Sequence, residues 1–181
     1  MRLYNALITL TMSKFYQHSL PQPFHISVGA VLFNDNFEIC VHHFTLERVP
    51  ETLRFLVDNL PDVWHLMRES LEDGETLSEA VLRGCQEEFG ATGTIEKFLG
   101  AKIDTIVSPA KEFQKCTLYH AVRLITLGER TGTDAEETAL MEWYSPAALL
   151  ELFNEQCRQT ARPELDERVI IERFIEAYSI V

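Results

Sequence analysis

The sequence has no CxxC pair, no cysteines at zinc-ligand spacing and no HExxH. Those gaps remove the common zinc-ribbon and zinc-hydrolase arrangements, whose ligands recur at short fixed intervals. Cys40, Cys85, Cys116 and Cys157 are scattered along the chain, and reduced thiols in a cytoplasmic protein are the simplest reading. The one adjacent histidine pair, His42-His43, falls in an alternating segment. The two rings should therefore face opposite sides and not share a metal. Basic runs are also missing: 16 Lys and Arg stand against 28 Asp and Glu, a net charge of -12. Such a surface repels nucleic-acid backbones and anionic membranes. Small nucleotides stay admissible, because a divalent cation can screen carboxylates from phosphates. No apolar run approaches the length of a membrane span. MRLYNALITLTM at the start is too short for one and a poor match to a secretory signal. Internal repeats and low-complexity segments are absent.

What is present is a chain of 181 residues, 46% of them hydrophobic, enough for one domain with an extension. We expect an N-terminal extension over residues 1–22, an edge strand or a tail, and a domain over 23–181. His25 to Leu32 reads as a buried strand, Asn34-Asp35-Asn36 as a turn and Glu38 to Phe44 as the return strand of a hairpin. Leu46 to Leu60 reads as a loop with a short helix on the substrate side. Trp64 to Met67 is expected as one short strand, and Thr94 to Val107 as a strand with a break at Gly100. In Phe113 to Leu127, Cys116, Leu118, His120, Val122 and Leu124 alternate with Thr117, Tyr119, Ala121 and Arg123, a strong strand pattern. Tyr119, His120 and Arg123 face either substrate or, equally well, the core and solvent. Ser145-Pro146 starts a helix, and Pro163 is expected to start the last one.

The centre of the chain is Leu71 to Gly93, LEDGETLSEAVLRGCQEEFGATG. Glu72-Asp73-Gly74 is a turn. Thr76 with Glu79 forms a capping box, and Leu77, Ala80, Val81, Cys85 and Phe89 give the helix an apolar side. Gly90 ends it, with Gly93 as a second breaker. Glu87 and Glu88 lie at the helix C-terminal end, where the macrodipole disfavours anions unless a cation compensates. Arg83 is one turn away, and Glu75 reaches it if the turn folds over the helix. These carboxylates read either as a cluster for Mg²⁺ or Mn²⁺, hard cations that take oxygen donors, or as a solvated acidic helix end.

The spacing resembles the signature of the Nudix hydrolases: Gly, five residues, Glu, seven residues, Arg-Glu, an apolar residue, any residue, Glu-Glu, any residue, Gly, an apolar residue. Glu75, Arg83, Cys85, Glu87, Glu88, Gly90 and Ala91 fall on that pattern. Gly84 stands where the family has the Glu after Arg, which commonly binds metal and in some members acts as general base. Glu69 stands where the family has its first Gly, Arg68 where another Gly often precedes it, and Met67 in place of a frequent Pro.

The resemblance implies an α/β/α sandwich around a central mixed β-sheet. It also implies Mg²⁺- or Mn²⁺-dependent hydrolysis of a pyrophosphate bond in a nucleoside diphosphate derivative, in a protein for which a homodimer is admissible. Glu87 and Glu88 would hold the metal, and Glu75 with Arg83 would form the ion pair that steadies the loop. A further carboxylate for the metal and catalysis is expected from GERTGTDAEETA, with Glu137 first and Glu136 second. The metal alone, or a carboxylate from elsewhere such as Glu69 or Glu137, would activate the water. The alternative is a Nudix-like domain, impaired in catalysis, that binds a nucleotide or a protein partner.

Overall fold

The computed structural model describes residues 24–180 apart from 50, 52–53, 55–56, 58–59, 108–111, 133–138 and 161. The expected extension over 1–22 lies outside the described residues. Strand β1 (Phe24–Phe33) turns through Asn34, whose side-chain oxygen accepts from the Asn36 and Glu38 backbone N–H groups, into β2 (Ile39–Thr45). β3 (Asp62–His65) and β4 (Met67–Ser70) follow, then helix α1 (Leu77–Phe89). The long strands β5 (Ala91–Val107) and β6 (Glu112–Leu127) precede β7 (Leu140–Tyr144) and α2 (Pro146–Gln159). A 3-10 turn (Pro163–Leu165) leads to α3 (Arg168–Tyr178).

Among the described residues, seven strands form one mixed sheet, ordered β3-β2-β1-β6-β5, with β4 on β1 and β7 on β2. β1 runs parallel to β6, and every other pairing is antiparallel. Alternation decides which residues meet which helix. Val28, Ala30 and Leu32 of β1, Cys40 of β2 and Val122 of β6 pack with Ala80, Val81, Cys85 and Phe89 of α1. Val31, Phe33, Ile39, Val41, Tyr119 and Ala121 take the opposite face, against Leu149 and Phe153 of α2 and Ile170, Ile171 and Phe174 of α3. The result is a mixed sheet flanked by helices. A third cluster, Phe44, Val49, Val57, Val63, Ala139 and Leu165, closes one end, so the described part of the 46–60 loop is packed down rather than extended.

Five expectations need correction. Trp64 to Met67 is not one strand: β3 pairs with β2 and β4 with β1, and Leu66 between them gives its N–H to Glu167 Oε2 at 2.7 Å. Gly93 does not break structure after the helix but lies within β5, at a register shift against β6. Gly100 takes a φ of 136° beside another such shift, so β5 bends there without ending. The final helix begins at Arg168, because the 3-10 turn takes Pro163 to Leu165 and Leu165 packs into the end cluster. Leu77, expected on the apolar side of α1, is 37% exposed.

Two buried polar side chains bind the α2–α3 layer to the sheet. Gln156 accepts from Trp64 N–H and donates to the carbonyls of Trp64 and Leu165. Glu167, with no exposure, accepts from the Tyr119 hydroxyl at 2.5 Å and from Leu66 N–H, with Arg68 Nε at 3.7 Å. Tyr119 is thereby a core residue. Its neighbour across the sheet, Gly29, has no room for a Cβ against the ring. Removing a buried carboxylate that serves three partners leaves them unsatisfied. Glu167→Ala should lower the unfolding free energy by about 3–5 kcal/mol, read by urea denaturation. A loss below about 1 kcal/mol would mean this anchor is dispensable.

Candidate functional site

The site is assembled by α1 and the two segments before it. Thr76 takes extended backbone angles and accepts from Glu79 N–H, and Glu79 accepts from Thr76 N–H at 2.6 Å, so the capping box forms as the sequence requires. At the other end Gly90 adopts φ 64°, left-handed, and a Cβ there would run into the Gly128 carbonyl. That carbonyl belongs to the loop after β6. Gly128 N–H bonds Gly90 O at 2.8 Å, and Gly132 N–H bonds Glu87 O at 3.0 Å.

Arg83 is the hub. Its Nε and Nη2 bind both oxygens of Glu75, at 3.2 and 2.9 Å, and Nη2 also donates to the Ser70 carbonyl at 2.9 Å. Nη1 lies 3.0 Å from Glu87 Oε2, 3.6 Å from Glu69 Oε2 and 3.9 Å from Glu72 Oε1. The expected Glu75–Arg83 pair is therefore present, and the turn folds back over the helix to make it. The Glu75 hydrogen bond, set against partial burial, holds the Arg83 pKa well above its ordinary value. Burial acts to raise the Glu75 pKa, but Arg83 and the Glu72 N–H outweigh it and keep the carboxyl below its ordinary range.

Glu88 points the other way on α1, toward the sheet. It is 7% exposed, and its Oε2 lies 2.6 Å from His42 Nε2. Burial, with the nearby Arg130 and Arg68 cations, lowers the His42 pKa to about 3. A neutral imidazole so placed donates from Nε2. Its Nδ1 is then a buried acceptor, and it has no hydrogen-bond partner. The His42 ring also stacks on Phe89 at 4.4 Å. His43 faces the other side, against Trp64, Asp62 and Glu142, as alternation requires. His42 was missed in the sequence as a partner of Glu88. Only strand alternation pointed at it, and alternation does not say which helix residue it meets.

Gly84 is occupied from outside. A Cβ at that position would lie 2.8 Å from Glu69 Cβ and 2.8 Å from Met67 Sδ. Met67 and Glu69 share one face of β4, while Arg68 turns to the other, toward Glu164 and Glu167. The strand thus delivers a carboxylate to the patch that position 84 overlooks. Tyr119, by contrast, is in the core. Arg123 pairs with Glu96 and Asp35 over the Phe33 ring, and His120 bonds the Leu118 carbonyl. Glu137 and Glu136 lie outside the described residues.

Among the described residues no three His, Cys, Asp or Glu side chains are arranged to hold a metal ion; at this cluster the carboxylates turn to Arg83. Four carboxylates, Glu69, Glu72, Glu75 and Glu87, lie within 4 Å of one guanidinium, an excess of three formal negative charges, with oxygen donors throughout.

A family model described as the NUDIX domain matches residues 23–165. Searches of curated proteins find no match. Among solved structures, a NUDIX hydrolase from Nitrosomonas europaea aligns at 14% identity over 86% of this chain and 88% of its own, with a TM-score of 0.54. A MutT protein from Methanosarcina mazei aligns at 19% identity over 88% and 99%, with a TM-score of 0.56. The E. coli ORF135 protein aligns at 14% identity over 88% and 94%, with a TM-score of 0.54. At these identities the likeness is one of fold. No described helix is long and apolar enough to cross a membrane.

Removing the hub should expose carboxylate repulsion. Arg83→Met should lower stability by about 1–3 kcal/mol, discounted from a fully buried pair because the site is partly open to water. The double variant with Glu75→Gln should be less than additive by about 1 kcal/mol in denaturant titrations. Full additivity would mean that the pair is not coupled.

Proposed function

The chain belongs to the Nudix family, and on that premise we propose that it hydrolyses a pyrophosphate bond in a nucleoside diphosphate derivative with Mg²⁺ or Mn²⁺. One observation carries this reading: the carboxylate excess around Arg83, at the helix whose residues fit the family signature. When bound, such a cation neutralises diphosphate charge, polarises a phosphoryl oxygen and lowers the pKa of water.

The chain's own residues take distinct parts. Glu87, Glu88 and Glu137 would hold the cation; Glu87 is bonded to Arg83 and Glu88 to His42. His42 fixes the Glu88 carboxylate by its Nε2 hydrogen bond, the kind of outer support that orients a ligand. Glu75 and Arg83 keep the turn against the helix, and Ser70 O ties that pair to β4. Hydrolysis forms one bond from water oxygen to phosphorus and breaks the bridging P–O bond, and a proton passes to a carboxylate. Glu137 and Glu69 are the acceptors proposed. Glu137 is supported by its flanks: Gly132 is bonded to Glu87 O, and Ala139 O accepts from Arg130. A net charge of -12 favours a small nucleotide that arrives with its cation over a polymer, and scattered thiols fit a cytoplasmic setting.

The second reading is a domain that binds a nucleotide or a protein partner without turnover. It is favoured by Gly84, which takes a carboxylate away from the helix. Assays over a panel of nucleoside diphosphate derivatives with Mg²⁺ or Mn²⁺ separate the two. Wild-type turnover should fall at least about 100-fold in Glu88→Gln, with thermal unfolding confirming that the variant is folded. Silence of the wild type across the panel would discard the hydrolase reading and leave the binding one.

A further inference from the structure

We infer that the outer edge of β5 is an interface between two copies of this chain, paired antiparallel over residues 101–107 about a two-fold axis. The inference does not depend on the hydrolase reading.

The backbone sets the need. β5 is the last strand of the sheet, and among the described residues β6 is its one ladder partner. Its other edge presents a row of N–H and C=O groups, which take up a further strand unless bulges, charges or proline blunt them. β5 is guarded unevenly. Register shifts at Thr92/Gly93, Ile95/Lys97 and Phe98/Gly100, with the charges of Glu96 and Lys97, disturb its first half. From Ala101 to Val107 the register against β6 is unbroken, and the strand contains no proline.

The side chains of that regular half agree with the backbone. Ala101 pairs with Leu118 and Ile103 with Cys116 of β6, and Leu118 pairs in turn with Val28 of β1. Ala101, Ile103, Thr105 and Val107 therefore share the side of the sheet on which Val28 meets α1. They lie beyond the reach of that core. Ile103 is 69% and Val107 66% exposed, and neither joins a core cluster. Phe98, 59% exposed, takes the same side through its pairing with His120. Apolar side chains beside an open ladder are stabilised by the neighbours that another strand supplies.

Charge selects the occupant. The chain carries a net charge of -12, so two copies repel over most of their surface. β5 is exempt, because Glu96 and Asp104 balance Lys97 and Lys102. Each of these charges is also met within the subunit. Glu96 accepts from Arg123 and the Tyr178 hydroxyl, Lys102 donates to Asp104 and the Pro163 carbonyl, and Lys97 lies over the Tyr178 ring and donates to the Ala177 carbonyl. A basic partner would be drawn to the acidic remainder of the surface and gain nothing at a neutral strand. A second copy brings the same neutral balance, the same apolar strip and, run antiparallel, the same backbone spacing. One patch is thus complementary to itself, as a two-fold dimer requires. Pairing uses up the open edge of both β5 strands, so the assembly closes at two.

Sedimentation velocity of the full chain tests this. The wild type should dimerise at micromolar concentration. Ile103→Lys and, separately, Val107→Lys should each weaken association about tenfold or more by setting a charge on the edge. Val169→Lys, the same change of charge at an exposed apolar position on α3, should leave it at the wild-type value. Thermal unfolding reports that each variant is folded. Added salt should tighten the dimer by screening its net repulsion. Amides of residues 101–107 should exchange with deuterium more slowly at dimeric than at monomeric concentrations. A wild type that stays monomeric, a dimer indifferent to both edge lysines, a dimer dissolved by salt, or association that grows without limit would each overturn the proposal.

Discussion

The Arg83 guanidinium holds three separate pieces of chain at once: the Ser70 carbonyl at the end of β4, the Glu75 carboxylate in the turn and the Glu87 carboxylate one turn along α1. A lysine could not do this. Three partners in different directions need the planar fork of donors that a guanidinium presents. Without that cation the turn, the strand end and the helix end would carry only like charges, and they would separate.

The sheet uses a second buried carboxylate for a different purpose. Glu88 on one face is bound by a neutral His42 and lies next to the charged cluster, where a donor that orients without neutralising leaves the carboxylate its charge. Glu167 on the opposite face is bound by Tyr119, Leu66 N–H and Arg68, and it anchors α3. β4 connects the two arrangements. Its residues alternate, Met67 and Glu69 toward α1 and Arg68 toward α3, so four residues serve the site and the closing layer together. That dual duty explains why the segment before the turn is a paired strand and not a loose lead-in to the helix.

Two of the four thiols are buried in the core. Cys40 and Cys85 are buried in the same cluster, and burial raises the Cys40 pKa to about 12 and that of Cys85 further still. Neither is a nucleophile at neutral pH.

Much of the local structure was legible because it depends on neighbours in sequence. The capping box at Thr76 and Glu79, the left-handed stop at Gly90, the Asn34 turn and the alternation through β6 follow from side chains within a few residues of each other. So does the Glu75–Arg83 pair, given a turn that folds back. Family membership was legible for the same reason, since its signature is a local spacing. The rest needed the fold. The division of residues 62–70 into β3 and β4 is decided by Glu167, about a hundred residues away, which takes the Leu66 N–H out of the ladder. His42 meets Glu88 only because β2 passes beneath α1. In the sequence, Gly84 and Glu69 look like two independent losses. Only the fold shows that Glu69 Cβ lies where a side chain at 84 would begin, because excluded volume acts between atoms in space and leaves no mark on spacing along the chain.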